Sequence, residues 1–256
     1  MPDPQSPPEP SHLSAIERRL IDSAKRAQQI EEGLLPAWLR PTQGEHRWQM
    51  GAAVVAAIGL QLTLPAHLTI RPHYVIPIIE GAILLGLFVA SPPRLVKHST
   101  GLHVTALALV GLISADTAIS AGLLVHQIVA GTADAAPRLL LQGVAIWLTN
   151  IIVFGLWYWE FDRGGPVARA HGTRKHPDLL FPQMQQPDIA PPDWEPTFFD
   201  YLYVSFTNAT AFSPTDTMPL SRWAKAMFLL QSAISLVTVA LVISRAVNIF
   251  QDVTKK

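Results

Sequence analysis

"FFDYLYVSFTNATAFSPTDTMP", residues Phe198–Pro219, joins a short apolar run to a polar, proline-broken stretch. Pro196 and Thr197 suit a helix start, and Asp200 stands three residues after Thr197, where a capping acceptor belongs. The spacing predicts a helix over 197–210, about 13 residues and roughly 20 Å long. That is too short to cross a bilayer, which takes about 20 residues. Phe198, Phe199, Tyr201, Leu202, Tyr203, Val204 and Phe206 also make it too apolar to sit in water. A re-entrant helix meets both conditions. The chain must then return to the surface through 211–217. Backbone without helical hydrogen bonds is tolerated at membrane depth only inside protein or along a water-filled cavity. The stretch therefore reads as the wall of a cavity or pore.

The rest of the chain agrees with a membrane setting. Of 256 residues, 49% are hydrophobic and 15% charged, and the mean hydropathy of +0.26 is that of a polytopic membrane protein rather than a soluble domain. The formal net charge is zero, so nucleic-acid binding has no electrostatic support. With no cysteine, disulfides, thiol catalysis, iron–sulfur clusters and cysteine zinc sites are excluded together. The first apolar run begins near Met50, too far along for a cleavable signal.

The expected fold is all-α: a polytopic helix bundle of five transmembrane helices, one re-entrant pore helix and an N-terminal amphipathic helix. Residues 1–47 hold a proline-rich, disordered start (1–11) and the amphipathic helix. There Leu13, Ile16, Leu20, Ala24, Ala27, Ile30 and Leu34 recur at steps of three and four, behind a Ser14-x-x-Glu17 capping box. That helix suits a membrane surface or a short intersubunit coiled coil. Residues 48–135 hold three spans: Trp48–Leu68, Tyr74–Ala90 and Leu102–Ala130. Residues 136–256 form a second module: a span over Arg138–Phe161, a long Pro-rich loop 162–196, the short helix and a last span, Trp223–Phe250. The basic group of that loop (Arg163, Arg169, His171, Arg174, Lys175, His176) is expected to be exposed near lipid head groups.

Helix, short re-entrant helix, polar stretch, helix is also the layout of potassium-channel pore domains. The sequence resembles that family's aromatic–acid–x–Leu–Tyr–x–Ser–Phe pore helix followed by a threonine-rich filter and Asp-x-x-Pro. Without a gap, Thr210 falls on the threonine before the filter, and Asp216 and Pro219 fall on the family's Asp and Pro. The similarity covers roughly residues 150–250. Where the family has Thr-Val-Gly-Tyr-Gly, this chain has Ala211-Phe212-Ser213-Pro214-Thr215. Both glycines are gone, and Pro214 fixes its own φ and extends Ser213, so the carbonyl ladder that selects potassium does not fit these residues. The chain as a whole, with "DRGGP", "FPQM" and "SFTNATAFSPTDTMPL", is similar to a family of uncharacterised bacterial integral membrane proteins. The resemblance implies a homotetramer in the bacterial inner membrane, multi-pass, contacting membrane lipid and passing inorganic cations.

Other polar groups fall inside the spans. Gln231, Ser235, Thr238, Val242 and Arg245 lie on one stripe of the last span. They either line a pore or bond to neighbouring helices. Glu80 and Asp116 are intramembrane carboxylates, which face a partner or a cavity; Asn150 and Thr117 are the candidate partners. They keep open a proton-coupled small-solute transporter. No internal repeat supports that class. His98 and His103 are five apart, wrong for one helix face, so no metal site is expected. No phosphate loop, zinc-protease or serine-hydrolase motif occurs, so neither an enzyme nor a cofactor is expected. The positive-inside rule puts the N-terminus and the re-entrant helix on the cytoplasmic side, whereas potassium channels have that helix outside. The leading expectation is a channel-like pore that does not select potassium and is weakly selective for cations. A proton-coupled transporter and a non-conducting membrane scaffold are the other two classes.

Overall fold

The computed structural model describes residues 35–42, 44–90, 99–174, 176–210 and 216–254. The expected amphipathic helix, Lys175, His98 and the filter-like residues Ala211, Phe212, Ser213, Pro214 and Thr215 lie outside them.

The described chain is helical: α1 (Trp48–Leu62), α2 (Val75–Ala90), α3 (Thr100–Val129), α4 (Ala136–Phe161), α5 (Pro166–Ala170), α6 (Pro182–Gln185), α7 (Phe198–Thr210) and α8 (Arg222–Thr254). Three helices, over Thr100–Val129, Ala136–Gly164 and Arg222–Ile249, are long and apolar enough to cross a membrane. This is a membrane protein by that measure. α1 and α2 are apolar but shorter, at 15 and 16 residues.

α1 stops six residues before the expected Leu68. Pro65 offers no N–H to the Gln61 carbonyl and forces Leu64 out of helical geometry. The end is closed instead by tight turns, with the Leu64 amide on the Gln61 carbonyl at 3.1 Å and the Thr63 hydroxyl on the Leu60 carbonyl at 2.6 Å. The other helices fall within a few residues of their expected spans.

α4 is the central helix. Of its most apolar window 67% is buried, against 28% for α8, which places α8 at the periphery. α4 packs most extensively on α7 and α8, and also on α1 and α3. Two close approaches set its spacing to them. A Cβ on Gly143 would lie 2.8 Å from Val242 of α8, and one on Gly155 would lie 3.2 Å from the Leu202 Cα of α7.

Polar contacts define the two ends of the bundle. At one, the loop end, Arg47 donates to the Leu87 carbonyl at 3.0 Å and His103 pairs with Glu160 at 2.8 Å. At the other, the far end, His67 meets Asp134 at 3.5 Å. α1 to α4 therefore alternate in direction. The larger apolar core lies toward the loop end, around Ile113, Leu156, Tyr158 and Tyr201; a smaller one, around Leu68, Leu124, Leu139 and Ile146, lies toward the far end.

Candidate functional site

The long connection after α4 is folded. Arg163, Gly164 and Gly165 have positive φ (52°, 84° and 94°) and reverse the chain. Asp162, fully buried, organises the loop beyond them. Its Oδ1 accepts from the amides of Asp178 (2.9 Å) and Leu179 (3.2 Å), and its Oδ2 accepts from the Tyr201 hydroxyl at 2.7 Å.

Arg163 and Arg169, expected on an exposed basic loop, are instead 2% and 5% exposed. The Arg169 guanidinium donates to Glu45 Oε1 at 2.8 Å and to the carbonyls of Trp159 (2.5 Å) and Asp162 (3.1 Å). It also stacks over the Tyr201 ring at 5.0 Å. Burial opposes its charge, but the oxygens of Tyr201, Glu45 and Asp162 outweigh that and raise its pKa. Arg163 donates to the Trp38 carbonyl and lies over the Trp38 ring. A guanidinium is the cation whose several fixed donors such a pocket can satisfy. Glu45 and Trp38 come from more than 110 residues away, and nothing in the local sequence announces them.

The same platform holds both flanks of α7. At its start, the Thr197 amide and hydroxyl donate to Asp200 Oδ2 at 2.7 and 2.9 Å, the cap read from the sequence. Beyond its end, β1 (Leu179–Leu180) pairs antiparallel with β2 (Met218–Pro219). The Leu220 amide donates to the Asp178 carbonyl at 2.8 Å, and the Trp223 indole to Asp178 Oδ1 at 2.9 Å. Start and return of the segment meet at the loop end.

Between these anchors α7 runs antiparallel to α4. Leu202 is level with Gly155, the Ser205 hydroxyl donates to the Ile151 carbonyl at 2.6 Å, and Phe206 meets Trp147 edge-on. Its last turn therefore lies near the middle of α4. Thr210 turns its hydroxyl onto the Thr207 carbonyl at 2.8 Å, and Asp216 is exposed.

Gln231 of α8 locks α7 in place. Its amide donates to the Ser205 carbonyl (2.9 Å) and hydroxyl (2.7 Å). Its oxygen accepts from Tyr158 (2.7 Å) and Asn208 (2.8 Å). Of the two readings of the α8 stripe, the packing of the described residues matches the interhelical one. Gln231, Ser235, Thr238 and Val242 are all buried within the chain's own helix packing, with Val242 seated on Gly143; the stripe is interhelical. Arg245 is half-buried and its Nε has no partner among the described residues. The side of α8 turned away from the chain is apolar: Leu229, Leu236, Ile243 and Val247 are exposed there.

Glu80 and Asp116, expected from the sequence to be intramembrane carboxylates, are both buried, Glu80 fully and Asp116 to 3% exposure. Glu80 Oε1 accepts from Gln61 at 3.4 Å, and Asp116 lies within its electrostatic reach. Gln61, not Asn150 or Thr117, is the partner. Thr117 is spent on the Ile113 carbonyl, and the Asn150 amide nitrogen has no partner. Among the described residues, no three His, Asp or Glu side chains gather as a metal group.

No family model, curated protein or solved structure matches the chain.

Proposed function

We propose that the chain is one subunit of a potassium-channel-like pore of the bacterial inner membrane, weakly selective for cations and assembled as a homotetramer. It would make five crossings, with α7 as a re-entrant helix. One observation carries the reading: α7, 13 residues long, starts and returns at one platform, since Asp162 binds Tyr201 at its start and Asp178 binds Leu220 and Trp223 after its return. A helix of that length, held at one side and ending at mid-bundle, directs the negative end of its dipole inward, which favours cations. One such helix cannot enclose a path, hence the four copies.

The filter-like stretch sets the expected selectivity. Pro214 and Ser213 deny the carbonyl ladder, so the ion keeps part of its water. Phe212 is the expected constriction and Asp216 the charge at the mouth. Ion flux into liposomes containing this protein alone tests the proposal. Cation flux with little preference between potassium and sodium is the expected result; no flux leaves a membrane scaffold. Since the chain has no cysteine, labelling of Gln5→Cys and Ala190→Cys from each side fixes its orientation. Both are expected on the cytoplasmic side.

Glu80 favours a second reading, a proton-coupled small-solute transporter. Its Oε2 is buried without a partner, as is Gln61 Oε1; a proton on the carboxyl would supply the missing donor. Substrate-driven proton uptake that is lost in Asp116→Asn or Glu80→Gln would establish that reading over the first.

A further inference from the structure

The bundle surface carries a groove with two chemically different halves. The apolar half, about 700 Å³, lies between α1, α4 and α7, lined among others by Ala56, Gly59, Ile152, Phe199 and Tyr203. The polar half, about 750 Å³, lies toward the far end and contains His67, Asp134, Arg138 and Gln142. Leu60 and Thr63 line both, so the halves adjoin at these two side chains. Along α4 the lining steps through Arg138, Leu141, Ala145, Leu148 and Ile152. Steps of three and four keep one helix face, over about 20 Å. That exceeds the roughly 15 Å of one leaflet's hydrocarbon, so a lipid tail starting at Arg138 fits lengthwise.

The polar half is built for a zwitterion. Arg138 is exposed and has no hydrogen bond or ion pair among the described residues. Asp134 supplies the opposite charge and is oriented by the Gln142 amide at 2.7 Å. Gln142 is 6% exposed, yet its Oε1 is buried without a donor. An accessible cation beside a carboxylate calls for a phosphate and a group bearing N–H.

We propose that this groove binds one phosphatidylethanolamine of the surrounding bilayer. Its phosphate sits on Arg138, its primary ammonium faces Asp134, and one acyl chain follows α4 toward α7. Phosphatidylcholine fits worse because its quaternary ammonium has no N–H to donate. The tail touches Phe199 and Tyr203, so occupancy bears on how α7 is seated, whatever the protein conducts.

Native mass spectrometry of the full chain in mild detergent tests this, with phosphatidylethanolamine, phosphatidylcholine and phosphatidylglycerol each added at matched acyl chains. One phosphatidylethanolamine per chain is expected, retained about tenfold better than phosphatidylcholine, the scale of one charge-assisted hydrogen bond. Arg138→Gln should lose that preference. Gly59→Phe should displace all three lipids, since a side chain at Gly59 meets open space and not protein; an unchanged melting temperature confirms that the fold survives. Equal retention of phosphatidylethanolamine and phosphatidylcholine, stronger retention of phosphatidylglycerol, or binding indifferent to either substitution overturns the proposal.

Discussion

The Tyr201 hydroxyl donates a 2.7 Å hydrogen bond to Asp162 Oδ2, joining the first turn of α7 to the residue that ends α4. Asp162 also serves two backbone amides. Asp162→Ala strands all three donors and should destabilise the protein by about 3–5 kcal/mol, whereas Tyr201→Phe removes one hydrogen bond and should cost about 1–2 kcal/mol. Tryptophan-fluorescence melting in detergent distinguishes the two, and equal losses would mean that the amides find other partners.

Arg169 and Glu45 tie the segment before α1 to the loop after α4. Arg169→Met leaves the Glu45 carboxylate without its cation and should cost about 3–5 kcal/mol, the penalty of an orphaned buried charge. The double change Arg169→Met with Glu45→Gln should recover part of that loss. Protease sensitivity around residues 35–47 provides a second readout, rising in the single variant.

Glu195 should make stability depend on pH. Burial, with Glu45 adding to it, raises its pKa above the usual 4.5; Arg163, Thr42 and Arg169 oppose this more weakly. The folded protein therefore holds this proton more tightly than the unfolded chain. Its contribution is most favourable below the unfolded pKa and is lost as pH rises through the folded one. Glu195→Gln should raise the melting temperature at neutral pH and make little difference below about pH 4.5. An equal gain at both pH values would refute this.

Gly155 faces the Leu202 Cα at 3.2 Å as well as its Cδ1 at 3.3 Å, and the backbone atom cannot simply swing aside. Gly155→Val should push α7 away from α4 and cost about 1–3 kcal/mol. The same substitution at Gly111, where a Cβ meets open space, should change stability by less than about 1 kcal/mol, the scale of helix propensity. If α7 forms part of a pore, Gly155→Val should also lower flux per folded protein.

Asp216 should bias the pore toward cations through charge alone. Asp216→Asn is expected to lower cation-over-anion preference in reversal potentials, and more so at low salt, where screening is weak. Phe212→Ala should increase conductance. A strongly potassium-selective current in the unmodified protein would contradict the reading of Ser213 and Pro214.

Local chemistry made part of this legible. The cap at Thr197 and Asp200, the 13-residue length of α7, and α3, α4 and α8 follow from periodicity and breakers within short windows. Pro65 marks the end of α1, but the apolar run continues past it, so the span read from the sequence runs on to Leu68. The burial of Arg163 and Arg169 was not legible, because their partners Trp38 and Glu45 are more than 110 residues away and a charged, proline-rich stretch looks solvated whether or not it is. The α8 stripe shows a further limit. Periodicity places Gln231, Ser235 and Thr238 on one face, but only packing tells that the face points inward.

The pairing of Leu180 with Met218 has an architectural consequence. Paired residues of an antiparallel ladder stand about 5 Å apart, so Leu180 and Met218, on either side of the α7 segment, lie at nearly one point. The two short strands act as a clasp. They hold both ends of the segment at the loop end while Gln231 holds its middle, so opening the clasp would loosen a wedge on which both α4 and α8 pack.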